Sequence, residues 1–146
     1  MSVQVGIILP HLGPSQLAHE VITKINETRG PYTLYFEDVC PTYTRIHSAL
    51  MNLSESKFFT GRLIATSPLS ANYILSSLKH IEACFFINDI FWYRGLNNYI
   101  QNVNLLRNPK LKLYTRCEQY ADIIEKYCGV KPTVCKITDL MEISNV

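Results

Sequence analysis

At 146 residues and 16.8 kDa the chain has the length of one domain, enough to bury a core without help from disulfides or a metal. Fourteen Lys and Arg against twelve Asp and Glu leave a formal charge of +2, which is too little to indicate nucleic acid or a membrane surface as a partner. With 47% hydrophobic, 11% aromatic and 18% charged residues, disorder is excluded.

Taken in chain order, short apolar runs alternate with amphipathic stretches. Residues 3–9 (VQVGIIL) read as a strand that ends at Pro10. Residues 15–28 place Leu17, Val21, Ile22 and Ile25 on one helical face, with Ser15 as N-cap and Gly30 as the stop. Residues 32–36 (YTLYF) read as a second strand. The segment from 39 to 59 is the hardest to assign; it holds Pro41, two threonines and the pattern of a short helix over 45–53. Residues 63–66 (LIAT) read as a third strand, and Ser67-Pro68 as a helix start. That helix carries a stripe of Leu69, Tyr73, Ile74 and Leu78. Residues 83–87 (ACFFI) are apolar on both faces, as a central parallel strand should be.

Residues 97–106 then read as a helix, 110–114 (KLKLY) as a strand and 117–128 as a helix ending at Gly129. A last short strand, 133–137 (TVCKI), precedes one closing helical turn at 138–143. Strands separated by helices of this length are βαβ units with right-handed crossovers. The expected fold is a three-layer, doubly wound α/β domain with a mainly parallel sheet of five or six strands. It occupies residues 1–146 as a single domain, with 138–146 as a short C-terminal tail. Val5, Ile7, Leu63, Ile64, Phe85, Ile87, Leu111 and Leu113 are the expected core of the sheet.

In such sheets ligands bind beyond the carboxyl ends of the strands, where the strand order reverses. The loops after the strands are therefore the places to look. The first, Pro10-His11-Leu12-Gly13-Pro14-Ser15, is not GxGxxG, and no Walker A sequence occurs. Neither a nucleotide cofactor nor any other is expected. The loop after the fourth strand, Asn88-Asp89-Ile90-Phe91-Trp92-Tyr93-Arg94, sets a carboxylate, the one Trp and an Arg behind a buried strand. Aromatic faces beside a carboxylate suit a polyhydroxylated ligand. The same residues also read as packing, with Phe91 and Trp92 in the core and Asp89 as an N-cap.

His11 could act as a general base near neutral pH, or be a loop histidine with no role. Ser67 and Arg116 could hold an anion at a helix N-terminus; they read equally as a cap and a solvated charge. No nucleophile elbow is visible. Five cysteines, none in a CxxC spacing, read as reduced thiols rather than as a disulfide framework or a metal site, and Cys84 as a small hydrophobe. The first residues lack the features of a signal peptide, and the longest apolar runs are far too short to cross a bilayer. A cytoplasmic location is expected.

The stretch KLKLYTRCEQYADIIEKYCGVKPTVC (residues 110–135) runs from a strand through a helix of the form s-x-x-x-a-x-x-i-x-x-x-x-g to a short strand. It resembles the end of the N-terminal, acceptor-side domain of GT-B-type glycosyltransferases. Together with 63–66 and 85–92 it is similar to small glycosyltransferase-like proteins of tailed bacteriophages, and the resemblance spans residues 60–137. It implies an acceptor side at His11 and Gly13, with His11 or Asp89 as base toward an acceptor hydroxyl. Ser67, Trp92, Arg94 and Arg116 would then be ligand-binding residues. The family's sugar-nucleotide site lies mainly in a second domain, which would begin where this chain stops.

Two functions are therefore expected. One is a non-catalytic binding or assembly module, with a protein partner or a second copy as its target. The other is the acceptor-binding subunit of a glycosyltransferase, with a carbohydrate or other hydroxylated acceptor and a separate donor chain. For a phage-encoded protein the site of action would be the host cytoplasm or the virion. Nucleotide sugars are expected to bind the isolated chain no tighter than about millimolar.

Overall fold

The computed structural model describes residues 4–11, 15–28, 30, 32–38, 46, 49–77, 81–90 and 99–142. Among these, seven strands and five α-helices alternate: β1 (Val5–His11), α1 (Gln16–Thr28), β2 (Tyr32–Asp38), β3 (Ala49–Asn52), β4 (Gly61–Ala65), α2 (Pro68–Ser77), β5 (Ile81–Ile87), α3 (Tyr99–Leu106), β6 (Leu111–Thr115), α4 (Glu118–Cys128), β7 (Thr133–Val134) and α5 (Ile137–Glu142). A 3-10 helix, Leu53–Phe58, leads from β3 toward β4. The strands form one sheet in the order β3-β2-β1-β4-β5-β6-β7, with every pair parallel. This is the expected doubly wound, Rossmann-like fold, with more strands than the five or six anticipated.

The additional strand, β3, lies within residues 39–59. Residues 49–52 pair with β2 from Thr33↔Ala49 to Phe36↔Asn52 and do not form the expected short helix. Ala49, Leu50 and Met51 are exposed, so no burial alternation marks them as a strand. Their conformation comes from the backbone ladder alone. At the other edge the last strand is only Thr133–Val134, shorter than the expected 133–137.

Side-chain alternation splits the core into two layers. Val5, Ile7, Leu9, Leu34, Ile64, Cys84 and Phe86 face α1 and α5. Ile8, Leu63, Ala65, Phe85, Ile87, Leu111 and Leu113 face α2, α3 and α4. The eight residues expected in the core of the sheet are all buried.

Helix ends follow the local signals. Ser15 Oγ accepts the Ala18 N–H at 3.0 Å, and Gly129, at φ 82°, closes α4 by donating its N–H to Glu125 O. Of the expected stripe on α2, Ile74 is buried and Tyr73 packs against the core, whereas Leu69 is 70% exposed and Ser70 and Ala71 are buried instead; Leu78 lies outside the described residues.

The α5 segment, which includes residues 138–142 of the expected tail, packs against the sheet. Ile137, Leu140 and Met141 are buried against the α1 side of the sheet. Arg62 Nη1 donates to Leu140 O at 3.3 Å, and Glu142 pairs with Lys24 of α1.

Cys84, Cys117, Cys128 and Cys135 are free thiols. Burial pushes the Cys84 thiol up to about 12, which suppresses the reactive thiolate. In native protein near pH 8, Cys84 should resist Ellman's reagent while the half-buried Cys117 reacts. Mass spectrometry of trapped adducts checks this, and rapid labelling of Cys84 before denaturation would contradict the packing of β5.

Candidate functional site

All strands run the same way, so the segments that follow them share one edge of the sheet. The order reverses between β1 and β4: β1 leads into α1 on one face, and β4 leads into α2 on the other. Beyond the last paired residues, Ile7 and Ile64, the two strands are joined by a side chain. Thr66 Oγ1 donates to Ile8 O at 2.6 Å. Thr115 does the same between β6 and β5, donating to Ile87 O at 2.9 Å from a fully buried position. These threonines satisfy the carbonyls that the diverging ladders leave over and hold the carboxyl edge in shape.

On the α1 and α5 face of this edge lies a pocket of about 240 Å³. Its floor is Phe86 of β5, and its walls come from four different segments. Gln16 and Glu20 stand on the first turns of α1, Asn88 follows β5, Arg116 follows β6, and Lys136 and Thr138 lie where α5 begins. Glu20 Oε1 accepts from Gln16 Nε2 at 3.3 Å. Arg116 Nη2 donates to Tyr120 Oη at 2.9 Å, and its guanidinium lies 5.0 Å from the centre of the Tyr120 ring. That combination orients a side chain that would otherwise sample many rotamers. The pocket thus carries two cations, one carboxylate, two carboxamides and a hydroxyl above an aromatic floor. Such a set suits a small hydroxylated molecule with negative charge.

The expected site residues are distributed as follows. Arg116 lines the pocket. Asp89 is half-buried at the same edge, directly after the pocket residue Asn88, but is not part of the pocket wall. His11 ends β1 at this edge; the ends of β1 and β5 are two strands, about 10 Å, apart, a span for a bound molecule and not for a hydrogen bond. Ser67 serves as the cap of α2. Its Oγ accepts the Ser70 N–H at 3.1 Å, and its own N–H donates to Ser70 Oγ at 3.2 Å, so the helix end is satisfied from within. Gly13, Trp92 and Arg94 lie outside the described residues, as does the side chain of His11.

Gln16, Asn88, Lys136 and Thr138 were not singled out from the sequence. Asn88 was within the correct loop, beside the more conspicuous Asp89. Lys136 lies within the run 133–137, whose alternation reads as strand, although β7 is only Thr133–Val134. With β7 ending at Val134, Lys136 joins the segments that follow strands, where the rule for parallel sheets looks for ligands.

Among the described residues no group of three or more His, Cys, Asp or Glu could hold a metal ion. No helix among them is long and apolar enough to cross a membrane. Fold and pocket together define a Rossmann-like α/β domain with a small polar cleft at the carboxyl edge of its sheet. No family model matches the sequence, nor does any curated protein or solved structure.

Proposed function

We propose that this chain is a binding module, built like the acceptor-side half of a GT-B glycosyltransferase, that holds a small hydroxylated anion such as a sugar phosphate. The observation that carries this reading is the convergence of Arg116 and Lys136 on one pocket with Asn88 and Gln16. Two cations outweigh the single carboxylate, Glu20, which is already engaged by Gln16. The carboxamides and Thr138 offer both donors and acceptors to hydroxyl groups. A volume of about 240 Å³ suits one sugar ring and is small for a nucleotide sugar.

A second reading, an acceptor-binding glycosyltransferase subunit, is favoured by one feature: Asp89 adjoins the pocket residue Asn88 at the strand end. A carboxylate in that place could take the proton of an acceptor hydroxyl.

Calorimetric titration with glucose 1-phosphate, inorganic phosphate and UDP-glucose tests both readings. The sugar phosphate should bind more tightly than the other two. Arg116→Ala and Lys136→Ala should each weaken it by about tenfold, the worth of one partly exposed charged hydrogen bond. Asp89→Asn should leave binding unchanged if the chain only binds; it should abolish transfer in the presence of a donor chain if the second reading holds. Absence of sugar phosphate binding, or binding indifferent to both cation substitutions, refutes the assignment of the pocket.

A further inference from the structure

On the opposite face of the sheet, α2 and α3 are adjacent surface helices with an unusual composition. Neither the ten residues of α2 (PLSANYILSS) nor the eight of α3 (YIQNVNLL) include a single charge. Helices exposed on one side normally carry charges there. Helices α1 and α4 do so, with Glu20, Lys24 and Glu27 on one and Glu118, Asp122, Glu125 and Lys126 on the other.

Between α2 and α3 runs an open groove of about 810 Å³. Its walls are one stripe from each helix and include five carboxamides: Asn72, Gln101, Asn102, Asn104 and Asn108. Asn102 is buried, and the others reach the surface. At the first turns of the two helices stand Leu69 and Ile100, 70% and 72% exposed, the most exposed large hydrophobic side chains among the described residues. Tyr99, half-exposed, is braced edge-to-face against Tyr127 of α4 with ring centres 5.1 Å apart.

We propose that the α2–α3 face is a self-association surface, on which a second copy of this chain docks about a two-fold axis. Three properties favour a copy over an unlike partner. First, a two-fold contact sets the same patch against itself, so like charges would meet like charges; among the described residues, α2 and α3 present none to repel. Second, a carboxamide is donor and acceptor at once, so a face rich in carboxamides can satisfy its own twin, whereas a face of one charge sign cannot. Third, exposed apolar side chains with no charges between them have the composition of an interface core and not of a solvated surface. The pocket at the carboxyl edge lies on the α1 and α5 face, so this contact leaves it open; the two proposals stand or fall separately.

Sedimentation velocity of the full chain, with reductant present to exclude disulfide dimers, tests the proposal. A dimer is expected at concentrations of about 10–100 µM. Leu69→Glu and Ile100→Glu should each weaken it by about a hundredfold or more, since each brings two like charges into a closed face. Both side chains are exposed, so thermal melts at low concentration should stay close to wild type, and sugar phosphate binding should be unchanged. Leu50→Glu, on the exposed edge strand β3, serves as the control and should leave the dimer intact. A chain that remains monomeric over this range overturns the proposal. So does a dimer that survives both α2–α3 substitutions, or one lost to Leu50→Glu instead.

Discussion

Replacing Glu82 by alanine is expected to lower the stability of the domain by about 2–3 kcal/mol at neutral pH, because it strands a buried arginine. Arg62 of β4 is 6% exposed. Its Nε and Nη2 donate to the two oxygens of Glu82 on β5 at 3.1 and 2.9 Å. Lys112 of β6 donates to the same carboxylate at 2.8 Å. Three neighbouring strands are thus tied by one acid between two bases, and Arg62 reaches further, to the Leu140 carbonyl of α5. Removing one partner of a buried pair costs about 3–5 kcal/mol; the side chain of Glu82 is one-third exposed, so water recovers part of that.

The same contact carries a pH signature. The hydrogen bonds from Arg62 hold the Glu82 carboxyl below its ordinary value, with Lys112 acting in the same direction. A depressed carboxylate contributes stability that is fully present above its unfolded value, about 4.3, and is lost as the pH falls through the lower folded value. The stability gap between wild type and Glu82→Gln, measured by urea unfolding, should therefore be widest near neutrality and close below about pH 4. A gap that persists undiminished in acid would mean that packing, and not charge, makes the contact.

Of the two positive-φ glycines among the described residues, Gly61 should be the more damaging to replace by alanine, at about 3 kcal/mol or more, from positive-φ strain and overpacking together. Gly61 opens β4 with φ at 127°, and a Cβ there would lie 2.4 Å from the carbonyl oxygen of Gln4. That carbonyl is backbone and is already held by the N–H of Arg62 at 3.0 Å, so it cannot move aside without opening the β1–β4 pairing at the centre of the sheet. Gly129, at φ 82°, faces no closer atom than the Arg107 guanidinium at 3.5 Å, and Gly129→Ala should cost only about 1 kcal/mol. At about 2–4 °C of melting temperature per kcal/mol for a chain of this size, the two are separable by calorimetry. Equal losses at both positions would mean that conformation, and not the contact with Gln4, sets the cost.

Both effects depend on strands far apart in the chain, which marks the boundary of what the sequence reveals. The short apolar runs at residues 63–66 and 83–87 were readable as buried parallel strands because both faces are apolar. Ser15 and Gly129 were readable as helix ends because cap chemistry acts within four residues. β3 was not readable: its exposed Ala49, Leu50 and Met51 carry no periodicity, and only the β2 ladder makes them a strand. Nor was the exposure of Leu69, which depends on how α2 packs against the sheet.

The candidate site divides in the same way. Arg116 and the Asn88 loop could be found because each follows a strand that the sequence itself outlines. Lys136 could not, because the short β7 ends where backbone pairing with β6 ends, and pairing leaves no mark on an exposed Thr133–Val134. What the sequence determined by itself is therefore the α/β alternation, the buried strands and the helix caps, all products of interactions among near neighbours. The strand order and the meeting of Gln16, Asn88, Arg116 and Lys136 in one pocket were decided by tertiary structure. They rest on pairings across tens of residues, whose partners are chosen by the whole sheet at once.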